Sequence, residues 1–368
     1  MSVSSPRQSA RQPSSEASGD ARPDPAGSRR GLDAHTPTDQ APRLADRHRR
    51  ILTLVGQRLI QIPIVLFVVS VLVFWLLQIV PGDPGRNALG QDATPEQVAQ
   101  WNVDHGLVGS ILDRYIHWIG GFLTGDWGTS IIYNQPASEL ILGRLGNSLI
   151  LGLFAFLIIV PVAIALGAVQ AYREGTKSDR AITVALMSLS AIPEFVIGVV
   201  LLIVFAVGLA WLPVQAGADA TSVDPLLRLR AMTLPAVTLA LGYVAILARM
   251  VRSGVLETIT SQYHRTAVLK GLRPGQVVRR HVVRNALIPT VSLLGLYLGS
   301  LLGGSAVVET LFGYPGLGAL LVTATEKKDI FLLEAGVMVT GVISLVALLI
   351  ADICFILIDP RIRFTEGE

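Results

Sequence analysis

Six long apolar blocks constrain the fold of this chain more than any other feature of its sequence. About 20 apolar residues are needed to carry a helix across the ~30 Å hydrocarbon core of a bilayer, and only 15% of all residues are charged, where soluble domains carry about a quarter. The sequence therefore predicts an all-α integral membrane protein with six transmembrane helices, placed near residues 59–80, 148–170, 181–210, 233–251, 287–309 and 332–358.

The amino-terminal residues 1–50 differ sharply in composition from the rest. They are rich in Ser, Pro, Ala, Arg and Asp and nearly lack Ile, Val and Phe, so they bury too little apolar surface to offset the entropy of ordering. We predict a disordered cytoplasmic tail over 1–50 and a transmembrane domain over 51–368.

The segment 85–146 between the first two blocks is too long to be a turn. It contains helix-like stretches with five aromatic residues, Trp101, Tyr115, Trp118, Phe122 and Trp127. Two interpretations stay open: a small structured cap on the outer side, or side chains that sit at the membrane interface, where Trp and Tyr are enriched.

The third block carries a proline and an acid in its middle. Pro193 predicts a kink or partial break, because proline removes a helical hydrogen bond. Glu194 follows it, and an ionisable residue at membrane depth is costly and therefore a functional candidate. We expect either a role in a substrate pathway or a helix-break residue near the interface, reached by water.

The basic residues predict the orientation, since Lys and Arg near span ends stay on the cytoplasmic side. With the amino terminus inside, the inner segments 43–58, 171–180, 249–284 and 359–368 carry 18 Lys and Arg and the outer ones seven. The prediction is a multi-pass membrane protein with both termini cytoplasmic; the family resemblance described below implies the plasma (inner) membrane of a bacterium.

Other charged residues near the spans have simpler expectations. Asp352 either pairs with a polar group in the bundle or lies at the cytoplasmic end of the last span. Asp83 is expected in a solvated turn after Pro81, and residues 326–329 (EKKD) in a charged outer loop.

The cytoplasmic segment 252–286 is the most informative stretch. Within it and just beyond, residues 263–289 predict two short helices broken at residues 274–275 (PG). On the second helix Arg280 and Arg284 form a like-charged pair four residues apart, which is unfavourable unless an anionic surface answers it. The pattern favours an acidic partner surface.

This segment, with residues 281–289 (HVVRNALIP), resembles the cytoplasmic coupling loop of binding-protein-dependent ABC importer permeases of the dipeptide, oligopeptide and nickel type. Further stretches resemble that family in the same order: 81–84 (PGDP), 125–130 (GDWGTS), 309–318 (ETLFGYPGLG) and 359–363 (DPRIR). The resemblance covers roughly residues 51–366.

The resemblance implies a type I ABC importer permease fold with a coupling helix that docks in a groove of a cytoplasmic ATPase. The family pattern begins Glu-Ala-Ala with glycine seventh, whereas here Arg265, Thr266 and Ala267 stand first and Gly271 seventh. The residues expected in ATPase coupling are Tyr263, Arg265, Thr266, Ala267, Lys270, Gly271, His281, Arg284, Asn285 and Pro289.

Catalytic motifs are missing from the sequence. There is no G-x-x-x-x-G-K-[ST], no H-E-x-x-H and no G-x-S-x-G, and Cys354 is the single cysteine. We therefore expect a non-catalytic transport subunit without a cofactor or metal, with ATP hydrolysed by partner subunits.

The resemblance implies a permease that imports dipeptides or oligopeptides. The implied partners are a second homologous permease, two ATP-binding subunits, an extracytoplasmic solute-binding protein and the peptide itself, in a lipid bilayer and without nucleic acid. Three alternatives stay open: the same machine carrying nickel, glutathione or another small solute, an ion-coupled secondary transporter, and a non-transporting membrane scaffold.

Overall fold

The computed structural model of the chain describes residues 44–79, 82–261, 269 and 305–358. Within them, apart from an isolated bridge between Thr129 and Pro136, the regular structure is helical. The α-helices are α1 (Leu44–Ile79), α2 (Pro84–Leu89), α3 (Pro95–Asp104), α4 (Ile111–Thr124), α5 (Ala137–Tyr172), α6 (Lys177–Ala191), α7 (Glu194–Leu201), α8 (Pro225–Thr260), α9 (Leu317–Lys327) and α10 (Ile330–Ile358). A π-helical stretch (Leu202–Gly208) continues α7, a 3-10 turn (Gly217–Thr221) precedes α8, and residues 305–311 are helical.

Within these residues four helices are long and apolar enough to cross a membrane: α5, α8 and the stretches Val55–Ile79 of α1 and Ile330–Cys354 of α10. The bent pair of α6 with Glu194–Gly208 makes a fifth if it is one span. These five correspond to five of the six predicted blocks. The remaining block, 287–309, lies outside the described residues except for 305–309, so the count of six stays a prediction.

The third span is broken where its proline predicts a break. The axes of Lys177–Ala191 and Glu194–Gly208 differ by 103°. The last helical hydrogen bond before the break runs from the Ile192 amide to the Leu189 carbonyl, and Pro193 has no amide hydrogen with which to continue it. The expectation of a kink or partial break is confirmed.

Helix α8 is the centre of the described bundle. In its most apolar window 67% of residues are buried, against 11% in α1. It packs mainly along α5, and the two approach closely at Gly167, where an added methyl carbon would lie 2.5 Å from the Ala248 carbonyl oxygen. Small residues permit such contact between spanning helices, where lipid provides little hydrophobic drive.

The outer segment forms a cap of three short helices, α2 to α4. Asp83 caps α2 and accepts a 3.0 Å hydrogen bond from the Asn102 side chain on α3, which lowers the pKa of Asp83 below its usual value. Helix α4 lies on α1, where Trp118 stacks on Phe74 with ring centroids 5.6 Å apart. These contacts favour the interpretation of this segment as a structured cap.

Helices α1 and α10 are joined by an ion pair. The Arg58 guanidinium donates to one Asp352 carboxylate oxygen through Nε at 2.9 Å and Nη2 at 2.5 Å. Asp352 therefore pairs with a polar group in the bundle, which is one of the two alternatives that the sequence left open for it. Helix α1 begins at Leu44, before the boundary at residue 50 that composition predicts for the tail.

The contact between α5 and α8 gives a stability prediction. Gly167→Ala should destabilise the protein by about 1–3 kcal/mol, because the methyl group must displace helix backbone rather than a flexible side chain. The measurement is thermal unfolding of detergent-purified protein. Gly152→Ala on the same helix is the control, since its methyl group would meet open space; equal loss in both variants would contradict the packing argument.

Candidate functional site

The expected coupling residues fall outside the described part of the chain. Tyr263, Arg265, Thr266, Ala267, Lys270, Gly271, His281, Arg284, Asn285 and Pro289 lie within residues 262–268 and 270–304. Their roles stay predictions. The described residues show three other features: the end of helix α8, which leads toward these residues, the surroundings of Glu194, and the buried hydrogen bonds of Glu309 and Asp329.

The carboxyl-terminal part of α8 is fixed by an ion pair. Arg252 donates to the buried Asp179 carboxylate at 3.1 Å, and Glu174 lies 3.7 Å away. Asp179 sits in the first turn of α6 and also accepts the Gly175 amide at 3.1 Å. Helix α8 ends at Thr260, inside the segment 252–286 and three residues before Tyr263, the first of the expected coupling residues. This ion pair therefore connects the α5–α6 loop to the helix that leads to those residues.

Glu194 begins α7 just after the break, and its carboxylate lies against the middle of α8. A methyl carbon at Gly242 would come 3.3 Å from Oε2 of Glu194. Gly242 lies near the middle of the apolar stretch of α8 bounded by Arg230 and Arg249. Glu194 therefore contacts the middle of the uncharged stretch of α8, and the two expectations for it, a substrate pathway or a helix-break residue near the interface, both stay predictions.

The Glu194 side chain is half-buried and does not cap its own helix. No ion pair among the described residues includes it. Its other neighbours on α7 divide between exposed Phe195 and Val196 and buried Ile197 and Gly198.

A fully buried carboxylate, Glu309, joins α5 to α9. Its Oε1 accepts from the hydroxyls of Ser148 on α5, at 2.7 Å, and Ser305, at 2.9 Å. Its Oε2 accepts the Ala319 amide in the first turn of α9 at 3.0 Å. Gly316 is required here, because any Cβ would lie 2.3 Å from the carboxylate.

The remainder of the stretch 309–318 also docks on α5. The Tyr314 hydroxyl donates to the Asn147 carbonyl at 2.8 Å, and the Asn147 side chain donates to the Pro315 carbonyl at 2.8 Å. The Leu317 amide donates to Ser148 at 2.8 Å. This family-like stretch therefore positions the start of α9 against the second span.

The expectation of a charged outer loop at 326–329 is wrong for Asp329. Asp329 is fully buried and accepts from the Ser130 hydroxyl at 2.6 Å, the Ile132 amide at 3.1 Å and the Leu332 amide at 3.2 Å. It caps α10 and anchors the stretch 125–130. A carboxylate directly before a helix can accept hydrogen bonds from the otherwise unpaired amides of its first turn. The place of Asp329 directly before a long apolar block is therefore the sequence signal that could have predicted its capping role.

Sequence reasoning also missed Glu334, one turn into α10. It is buried, and Arg114 on α4 is the cation that interacts with it electrostatically. An acid inside an apolar block is the signal that would have found it, as for Glu194. Among the residues that the structure describes, no group of three or more His, Cys, Asp or Glu is placed to hold a metal ion.

A helical bundle with several spanning helices, an outer cap and carboxylates bonded inside the bundle defines a polytopic membrane protein. The chain belongs to the family described as the binding-protein-dependent transport system inner membrane component, which matches residues 159–364. Residues 51–137 match the amino-terminal part described for such transport system membrane components. It is therefore the permease type of subunit, a transport component without its own catalytic centre.

Three relatives illustrate the similarity. The chain is 35% identical to the oligopeptide transport system permease protein AppB of Bacillus subtilis over 84% of this chain and 99% of that one. It is 33% identical to a probable peptide ABC transporter permease protein, y4tP, of Sinorhizobium fredii, over 84% and 98%. It is 34% identical to the glutathione transport system permease protein GsiC of Escherichia coli K12, over 85% and 100%.

Among solved structures, an inward-facing MetNI methionine ABC transporter matches with a TM-score of 0.47 and 20% identity, over 60% of this chain and 95% of that one. An amino acid ABC transporter matches with a TM-score of 0.42 and 16% identity, over 61% and 95%. The family membership itself rests on the sequence matches, and it sets aside the ion-coupled secondary transporter and the membrane scaffold.

The Glu309 cluster gives the second stability prediction. Glu309→Gln should destabilise the protein by about 2 kcal/mol, because the amide keeps one acceptor oxygen and turns a donor toward either the serines or the Ala319 amide. Thermal unfolding in detergent measures the loss. The exposed Glu326→Gln on α9 is the control and should change stability by less than about 0.5 kcal/mol. Equal stability of both variants would show that the carboxylate is dispensable.

Proposed function

We propose that this chain is one of two permease subunits in an ATP-driven importer of dipeptides or oligopeptides. The observation that carries the proposal is the full-length similarity to the oligopeptide permease AppB, at 35% identity over 99% of that protein. Similarity along the whole permease, rather than in the coupling segment alone, includes the spans that would enclose a substrate.

The assembly that we propose contains a second homologous permease, two ATP-binding subunits and an extracytoplasmic solute-binding protein. Closure of the ATP-bound subunits would turn a cavity outward, and hydrolysis would return it inward. Each ligand drives this exchange only as far as it binds one state better than the other. The bent third span and the glycine contacts of α8 give the bundle places where helices pivot or slide.

Coupling to the ATPase is proposed for residues 252–286. Gly271 would allow close approach to a groove, and Arg280 and Arg284 would face an acidic surface. The ion pair of Arg252 with Asp179 supports the proposal from the described side, because a helix fixed at its base passes on a displacement instead of absorbing it.

The proposed orientation places both termini in the cytoplasm, with residues 1–50 as a tail outside the permease domain and the cap α2–α4 outside the cell. The distribution of Lys and Arg supports it. In this orientation the cap and the outer contacts of Glu309 and Asp329 lie on the side from which substrate arrives.

Glutathione is a second candidate substrate. The similarity to GsiC, 34% identity over 100% of that protein, is nearly equal to the similarity to AppB. Glutathione is itself a tripeptide, so one type of translocation path could suit both.

The test of the proposed function is transport by the purified complex in liposomes. With its binding protein and internal ATP, the complex should accumulate a labelled dipeptide and its ATPase rate should rise when peptide is supplied. Accumulation of glutathione with no accumulation of dipeptides would favour the second candidate, and accumulation of neither would overturn the proposal.

A coupling variant gives the third prediction. Gly271→Trp should reduce peptide-stimulated ATPase activity at least about tenfold, since a bulky side chain prevents close approach to the groove. Lys177→Trp, at an exposed position that begins α6, is the control and should keep the stimulation. Stimulation that survives Gly271→Trp would place the coupling contact elsewhere.

Orientation is tested with single cysteines. Cys354→Ser removes the only cysteine, after which Gln91→Cys in the cap should react with a membrane-impermeant maleimide in intact spheroplasts. Lys177→Cys should react only after the membrane is permeabilised, because both positions are exposed but lie on opposite sides. The opposite pattern would invert the topology.

A further inference from the structure

We infer that the Glu194 carboxylate is a binding site for the substrate's cationic amino group within the translocation path. The inference rests on the proposed function and adds to it the chemical group that is recognised and the residue that recognises it. The arguments come from the depth of Glu194, the absence of a compensating cation in the spans and the shape of the helix break.

The depth follows from the contact with α8. Oε2 of Glu194 lies against Gly242, and the stretch between Arg230 and Arg249 contains no charged residue. Helical rise is 1.5 Å per residue, so this stretch is about as long as the hydrocarbon core is thick. A carboxylate near its middle is separated from both aqueous surfaces.

No cation of this chain compensates the charge at that depth. The six predicted spans contain no Lys, Arg or His except Arg249, at the inner end of the fourth. This statement covers the block 287–309 as well, because it rests on sequence alone. Glu309, by contrast, is fully supplied with hydrogen-bond donors from serines and a backbone amide.

The helix break at Pro193 leaves the Glu194 carboxylate only half-buried. Pro193 ends the regular hydrogen bonding of α6, and the 103° bend carries the start of α7 away from the axis of α6. Glu194 is the first residue after the bend, remains half-buried and makes no capping bond. Gly242 provides a recess, since a side chain there would press on the carboxylate.

An intramembrane acid of this kind is stable where it faces water or a cation, not lipid. Peptides and glutathione both carry a free α-ammonium group, whose size and charge match one carboxylate. The pair would form when substrate enters and dissolve when it leaves, so Glu194 would favour substrates with a free amino group over blocked ones.

The first test measures uptake by the complete transporter in liposomes, with its binding protein, ATP and labelled dialanine. Glu194→Gln should lower the initial uptake rate about tenfold, as expected for a lost charged hydrogen bond, while Glu194→Asp should retain most of it. The ATPase subunits should still co-purify and the binding protein should still stimulate ATP hydrolysis. The control is Glu139→Gln, an exposed acid on α5.

The second test does not depend on the binding protein. Dicyclohexylcarbodiimide, which modifies carboxyl groups in apolar surroundings, is applied to the complex, and modification of Glu194 is followed by mass spectrometry. Dialanine should protect Glu194, whereas propionyl-alanine, in which hydrogen replaces the ammonium group, should not. Protection of Glu334 should be the same with both compounds.

The outcomes separate this inference from the proposed function. A wild-type complex that imports no peptide overturns the proposed function. Import by the wild type with equal import by Glu194→Gln, or equal protection by both compounds, overturns only the ammonium site. Loss of the second permease from the Glu194→Gln complex also overturns it, since the carboxylate would then serve the subunit interface.

Discussion

The interior of a bilayer has no water to satisfy a polar group, and the described structure depends on that constraint. Backbone groups are satisfied within helices, and buried side chains must find partners across them. Glu309 shows the result: one carboxylate accepts from two serines and from the first turn of α9. Because an unpaired carboxylate would be costly there, this set of bonds also fixes where α5 and α9 meet.

The same need for hydrogen-bond partners explains the contacts of Asp329, Tyr314 and Asn147. Asp329 caps α10 and holds the stretch 125–130, while Tyr314 and Asn147 join the stretch 309–318 to α5. Stretches that resemble the family are thus structural contacts in the described residues. These contacts join the stretches to α5 and α10 and hold them in place.

Glu194 departs from this pattern, and the departure is what gives it a functional interpretation. The other three acids in the predicted spans each have a partner or a nearby cation. Glu309 accepts hydrogen bonds, Glu334 interacts with the Arg114 guanidinium, and Asp352 pairs with Arg58. Asp179 and Arg252 fix α8 near its carboxyl-terminal end. The described bundle therefore combines ion pairs on α1, α8 and α10 with a bent third span.

The sequence alone determined the class of protein, the positions of five described spans and the break at Pro193, because apolar length and the missing proline amide act locally. It also located Glu194, since an acid in an apolar block is visible in one dimension. Only the tertiary structure decided that Asp329 is buried, that Glu309 joins α5 to α9 and that Glu194 meets Gly242 at the middle of α8. Those facts depend on which residues distant in sequence lie side by side, and hydropathy carries no information about such pairings.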